Sequence, residues 1–295
     1  MSRKKRSCCA ATPSPKRVSK PLCTRSQKRR IDMIKELLYV YGLIPAHEID
    51  PANEVACRMK RHGDIIAVLE AVDPQVFSQQ SIQRYVEDPN WVKEKAVGHH
   101  NVLAMLQQRH TVIPLKFCTI YESEQSLEAM LIRHYDEITD LFAALRGKEE
   151  WSLKVYCDKE ELKTHVMQSS LELAKLSADL SGLSPGKQFL MKKQLNASLE
   201  RETENAMKRI CLEAHESLSS STLQQIEKKV WERKVTGRKE EMIWNSMYLT
   251  DRQRVDSFLQ LVKQFGEEFQ AFGLTFEATG PWPVYHFARI GPEEA

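Results

Sequence analysis

Three histidines lie close together, His99-His100 and His110, and imidazole is the commonest metal ligand. Neighbouring residues on a helix point about 100° apart, so His99 and His100 cannot share an ion without help from elsewhere. On a helix that reached that far, His99 and His110 would stand about three turns apart, too far for one metal. The three read as helix packing and surface hydrogen bonding. The loop Gly182-Leu183-Ser184-Pro185-Gly186-Lys187-Gln188 approaches a phosphate cradle. It is one residue short between its glycines, and Gln follows the lysine where Ser or Thr should hold magnesium. The pair Glu149-Glu150 ahead of Trp151 offers two carboxylates for acid–base work, but reads better as a solvated charge cluster at a strand entrance.

The seven cysteines contain no C-x-x-C pair, and the close-spaced ligands of a zinc site are missing. Cys57, Cys118, Cys157 and Cys211 sit among apolar residues, which suits reduced, buried thiols and points to the cytoplasm. A Cys–His nucleophile pair meets in space rather than in sequence, yet no Gly-rich elbow or oxyanion pattern accompanies any Ser or Cys. The sequence thus predicts no catalytic residue, no metal and no cofactor.

The net charge of +3 conceals an uneven distribution. Residues 1–30 hold eleven Lys or Arg and no acid, and the remainder carries 32 basic against 40 acidic residues. Residues 1–32, with Pro13, Pro15 and Pro21 and few large apolar side chains, predict a disordered basic tail. No apolar segment follows the positive start, so it is not a secretory signal. The tail has two readings: an arm for nucleic acid or an anionic surface, and a dispensable extension ahead of a start at Met33. The acidic remainder and the lack of an RNP1-type pattern argue against RNA stacking, so a nucleic-acid-binding regulator rests on the tail alone. No run of about 18 apolar residues is long enough to span a membrane.

The elements that must position these residues are legible from periodicity. Residues 36–44 (ELLYVYGLI) and 64–72 (DIIAVLEAV) predict strands. Asp73-Pro74 and Asp88-Pro89 open helices, the second continuing through Trp91, His99, Val102 and Leu106. Residues 111–117 (TVIPLKF) predict a short strand whose Pro114 belongs at an edge or a bulge. Ser123 caps one helix with an apolar stripe from Leu127 to Leu145, ended at Arg146-Gly147-Lys148. Alternation in residues 150–157 predicts a strand with one buried face. Asp158 caps a helix to about Leu180, and a long helix follows from about Lys187 to Leu218. Residues 226–235 are ambiguous, 242–249 predict a strand, and Asp251 caps a helix with Phe258, Val262, Phe265 and Phe269 on one face. Gly273 ends it before a last strand. The fold class is therefore α+β with two domains: a mixed α/β domain over 33–147 and a second over 148–290. If 226–235 holds a strand, the second is a ferredoxin-like split βαβ domain with an inserted long helix.

Residues 279–287 (TGPWPVYHF) form a rigid aromatic corner. Either Gly280, Pro281 and Pro283 turn the last strand while Trp282, Tyr285 and Phe287 lock it to its domain, or Trp282 and Tyr285 are anchors for a partner.

Six segments occur together, in order: Leu38-Tyr39-Val40-Tyr41-Gly42; Trp91 with His99 and Val102; Val112-Ile113-Pro114-Leu115-Lys116-Phe117; Glu150-Trp151 with Lys154-Val155; Tyr248-Leu249; and Gly280-Pro281-Trp282-Pro283. Over residues 36–287 the chain resembles the gas vesicle protein F/L family. Cys118 stands where the family carries Gly, and it would strain the turn if that position takes a positive φ. The resemblance implies a non-enzymatic accessory protein and minor component of gas vesicles, with a ferredoxin-like C-terminal domain. It also implies location in the gas vesicle and cytoplasm. The implied partners are the small apolar shell protein, kept from aggregating during assembly, and other gas vesicle accessory proteins.

Overall fold

A bulge in the first strand decides how the first sheet is packed. Strand β1 (Leu37–Pro45) pairs antiparallel with β3 (Ile65–Val72), and Val40 and Gly42 face successive residues Leu69 and Val68. Tyr41 is therefore extra, and the side-chain parity of β1 reverses there. Leu38, Val40 and Leu43 consequently share one face, while Ile44 lies on the other. Gly42 sits at the crossing point. A Cβ there would lie 2.8 Å from the carbonyl oxygen of Ile113, so only glycine allows β4 to approach.

The computed structural model describes residues 36–49, 57–179 and 183–291. These residues belong to one compact unit of mixed α+β architecture. The basic tail of residues 1–32 lies outside them, as does Gly182 of the short glycine loop.

The first sheet runs β2-β3-β1-β4, with β2 at Arg58–His62 and β4 at Ile113–Pro114. Strand β5 (Ile120–Tyr121) continues the β4 edge of β1. Pro114 thus stands in an edge strand, where its missing donor costs nothing. Helices α1 (Pro74–Phe77) and α2 (Gln79–Tyr85) lead to α3 (Pro89–Gln107), and the side chains of Asp73, Ser78 and Asp88 cap their three starts. Leu103 and Leu106 of α3 pack on Ile44, Ile66 and Val68. On the opposite face lie Leu127 and Leu131 of α4 (Glu124–Arg133) and Ile138, Phe142 and Leu145 of α5 (Tyr135–Leu145). The single helix expected after Ser123 is thus two, parted at His134, whose φ of −110° and ψ of 19° leave the helical region. Ser123 caps the first of them in a reciprocal capping box with Ser126, which satisfies otherwise orphaned backbone donors.

Gly147, at φ 70°, turns the chain into β6 (Lys148–Cys157). The second sheet runs β7-β8-β6-β9, all antiparallel, with β7 at Gln224–Glu227, β8 at Glu241–Asp251 and β9 at Leu274–Trp282. Strand β6 is central and buried on both faces, not on one. Trp151, Leu153, Val155 and Cys157 meet the helices, while Glu150 and Ser152 on the other face are also buried. Four helices contribute to that core: α6 (Lys159–Ser169), α7 (Leu171–Ala178), α8 (Pro185–Ser219) and α10 (Val255–Phe269), with the short α9 (Arg233–Thr236) intervening. The helix expected after Asp158 is broken at Ser170, which caps α7. Asp251 makes no side-chain cap; it ends β8, and a 3-10 turn at Arg252–Arg254 precedes α10. Helix α8 spans 35 residues, about 52 Å. Its fully buried positions begin only at Thr203, and Phe189 and Leu190 near its start are exposed.

After β9 the chain returns to the first sheet. Val284 and Ala288 are buried in the same cluster as Leu38, Val40 and Leu43, together with Leu249 of β8.

Candidate functional site

The aromatic corner begins where β9 meets Glu150 of β6, opposite Trp282 in the register. Gly280 is needed there because a Cβ would lie 2.9 Å from the Trp151 ring. Pro281 is exposed and Pro283 buried. Trp282 is half-buried, and its indole nitrogen donates to the Thr279 hydroxyl at 3.2 Å. Its ring centroid lies 5.2 Å from that of His100 in α3. The Tyr285 hydroxyl meets His100 Nδ1 at 3.3 Å, and burial pushes that phenol up to about 12. Phe287 packs half-buried on the first core. The corner therefore joins β9 to α3, and His100, which the sequence left on a helix surface, is its counterpart.

The carboxylates beside Trp151 are not a solvated cluster. Glu150 is fully buried and accepts from the backbone N–H of His286 at 2.9 Å and from its Nδ1 at 2.7 Å. Glu149 accepts from Arg252 Nε at 2.9 Å and from the Trp151 indole at 3.3 Å. Both charges are satisfied, as burial demands. A carboxylate-held imidazole is also two-thirds of a nucleophilic triad. No Ser, Thr or Cys among the described residues hydrogen-bonds to His286.

The four described cysteines are free thiols. Burial pushes Cys157 and Cys211 up to about 12 and raises Cys57 and Cys118 as well, the opposite of the depression that activates a thiolate. Cys118 takes φ 63°, alone among the non-glycine described residues in being positive. Its backbone N–H donates to the Tyr39 hydroxyl at 3.2 Å, and that hydroxyl meets His99 Nδ1 at 2.8 Å. Burial drives His99 down to about 4, so it is a neutral packing group at pH 7. Helix α3 ends at Gln107, before His110. Among the described residues no cluster of His, Cys, Asp or Glu is arranged to hold a metal, and no helix is long and apolar enough to cross a membrane.

Two surface features remain. The first is a cleft of about 650 Å³ between the loop after β4, the end of α4 and residues 285–291, with Lys228 at its rim. The second is the edge of β7, flanked by exposed Leu223, Val230, Trp231 and Val235. Lys154 lies 4.8 Å over the Trp231 ring. The cleft was not visible in sequence, because it is assembled from segments far apart in the chain.

A family model described as gas vesicle synthesis protein GvpL/GvpF matches residues 37–289. The chain belongs to that family. Gas vesicle protein L of a Streptomyces strain is 26% identical over 245 residues, covering 80% of this chain and 85% of the relative. Gas vesicle protein F of the same strain is 24% identical over 207 residues, covering 69% and 81%. Among solved structures, the crystal structure of GvpF from an Anabaena species superposes with a TM-score of 0.65 at 18% identity. That match covers 87% of this chain and all of the other. GvpF from Microcystis aeruginosa gives 0.57, also at 18% identity, over 86% and 99%. At such identities the structures speak to the fold, which this chain shares with the two GvpF structures along nearly their whole length.

Proposed function

We propose that this chain is a non-enzymatic accessory protein of gas vesicle formation that binds the small apolar shell protein and keeps it dispersed until it assembles. Family membership supports the vesicle role, and the open edge of β7 carries the binding reading. Apolar strand-forming chains aggregate through unpaired edges, and a partner with an open edge and apolar flanks can cap such a segment by strand addition. Leu223, Val230, Trp231 and Val235 supply the flanks. The surplus of acid over base outside the first thirty residues would keep the capped pair soluble. On this reading the protein resides on the gas vesicle and in the cytoplasm beside it. Trp282 and Tyr285 then serve first to hold the corner closed, with their exposed rims as a secondary contact.

We further infer that residues 33–147 and 148–290 act as two domains, the second ferredoxin-like. Read as β9-β6-β8-β7, all antiparallel, with a helical crossover on each side of the β7–β8 pair, the second sheet has the strand order of a split βαβ.

Co-expression with the shell protein tests the function. Wild type should retain the shell protein in the soluble fraction and co-purify with it. Trp231→Glu with Val235→Lys should lose it while melting within a degree or two of wild type. A wild type that captures no shell protein would sink the proposal.

A further inference from the structure

None of the residues lining the 650 Å³ cleft is acidic, although the chain outside the first thirty residues carries more acid than base. Its rim holds Lys116, Lys228 and Arg289. Lys228 and Arg289 form no ion pair among the described residues. Glu137 and Glu150, which hold two histidines of the lining, are not themselves part of it. Glu137 accepts from His134 Nδ1 at 2.7 Å and from the Gly291 N–H at 2.9 Å, and Glu150 accepts from His286 as described. Two imidazoles of the lining are thus fixed through Nδ1 by carboxylates. Each keeps Nε2 as its remaining polar atom. A carboxylate behind a histidine fixes its tautomer and ring orientation, so both rings are pre-set without any ligand.

Leu115, Phe117, Met130 and Ile290 give the lining an apolar part, beside the hydroxyl-bearing Thr119, Tyr121 and Tyr285. The volume lies in the range of ligand pockets and far exceeds the need of a single small anion. We propose that the cleft is a docking site for a peptide segment of a partner that alternates acidic with apolar side chains. Its carboxylates would pair with Lys228 and Arg289, and its apolar side chains would cover Phe117 and Ile290. Charge complementarity selects such an occupant, because a basic segment meets the like-signed Lys116, Lys228 and Arg289 and no carboxylate in the lining. Recognition of this kind goes beyond shell-protein binding at the β7 edge and does not require it.

The test uses the full chain and fluorescence anisotropy with a fluorescein-labelled peptide repeating Leu-Glu-Phe-Glu, beside a twin with every Glu replaced by Gln. The expected result at low salt is about tenfold or more tighter binding of the acidic peptide. The double variant Lys228→Glu with Arg289→Glu should abolish that preference while melting like wild type. Equal affinity for the twin would overturn the proposal. So would binding that persists in the double variant, which is what contact with the basic first thirty residues would give. Complete displacement by low-millimolar inorganic phosphate would also overturn it, because the cleft would then be a simple anion site.

Discussion

His286 Nδ1 donates to Oε1 of the fully buried Glu150 at 2.7 Å, and the His286 backbone N–H donates to the other oxygen at 2.9 Å. The pair fastens the returning C-terminal segment to the central strand of the second sheet. Glu150→Ala strands both donors, one of them a backbone group with no other partner. It should cost about 2–3 kcal/mol in chemical denaturation. Glu150→Gln, which keeps one acceptor, should cost about half as much. An alanine variant as stable as wild type would show that the pair holds nothing.

Trp282→Ala should destabilise by about 2 kcal/mol, below the 3–5 of a fully buried indole, because the ring is only partly buried and lies against His100. Measuring the melt and shell-protein capture on the same variant separates the corner's two possible duties. Loss of capture with an unchanged melt would make Trp282 a partner anchor instead.

Cys118→Gly should stabilise by about 1 kcal/mol, because a left-handed backbone costs a side-chain-bearing residue that much and glycine nothing. Cys118→Val should lose stability, since a β-branched residue resists the conformation most. Denaturant midpoints of the two variants on one background check the ordering.

His99 gives the stability a predictable acid limb. Burial takes its folded pKa to about 4, below the ordinary imidazole value of 6.5. Between those values the unfolded state binds a proton that the folded state refuses. The neutral form's contribution is therefore intact above about pH 6.5 and is lost as pH falls toward 4, to a total of about 3 kcal/mol. Unfolding free energies at pH 7 and pH 5 should show the drop, and His99→Gln should flatten it. An equally steep fall in the variant would assign the acid limb to other groups.

What the sequence revealed follows how each element is stabilised. Strands β1, β3 and β8 announce themselves because their apolar runs are buried. Strand β2 does not, because Arg58–His62 is an edge strand whose charges are answered from α4: Arg58 and Lys60 pair with Glu124, and Lys60 also with Glu128. Such a strand has no hydrophobic pattern to read. The breaks at His134 and Ser170 were equally silent, since the apolar period runs on through both. At the site, the positive φ of Cys118 was legible once glycine was expected there. The environment of Glu150 was not, because its partner lies 136 residues away and only a folded chain brings His286 to it. The cleft fails for the same reason: Lys116, Lys228 and Arg289 have no spacing that means anything along the chain.

The return of Val284 and Ala288 to the core of the first sheet sets a schedule for synthesis. At roughly 5–20 residues per second, the ribosome needs roughly 7–30 s to travel from Leu145 to Ala288. Throughout that interval the nascent first half presents an apolar face whose last two pieces have not been made. Any chaperone that attends this chain should hold it longest during those seconds. A ribosome stalled after Trp282 would release a product with both sheets complete and one core still open.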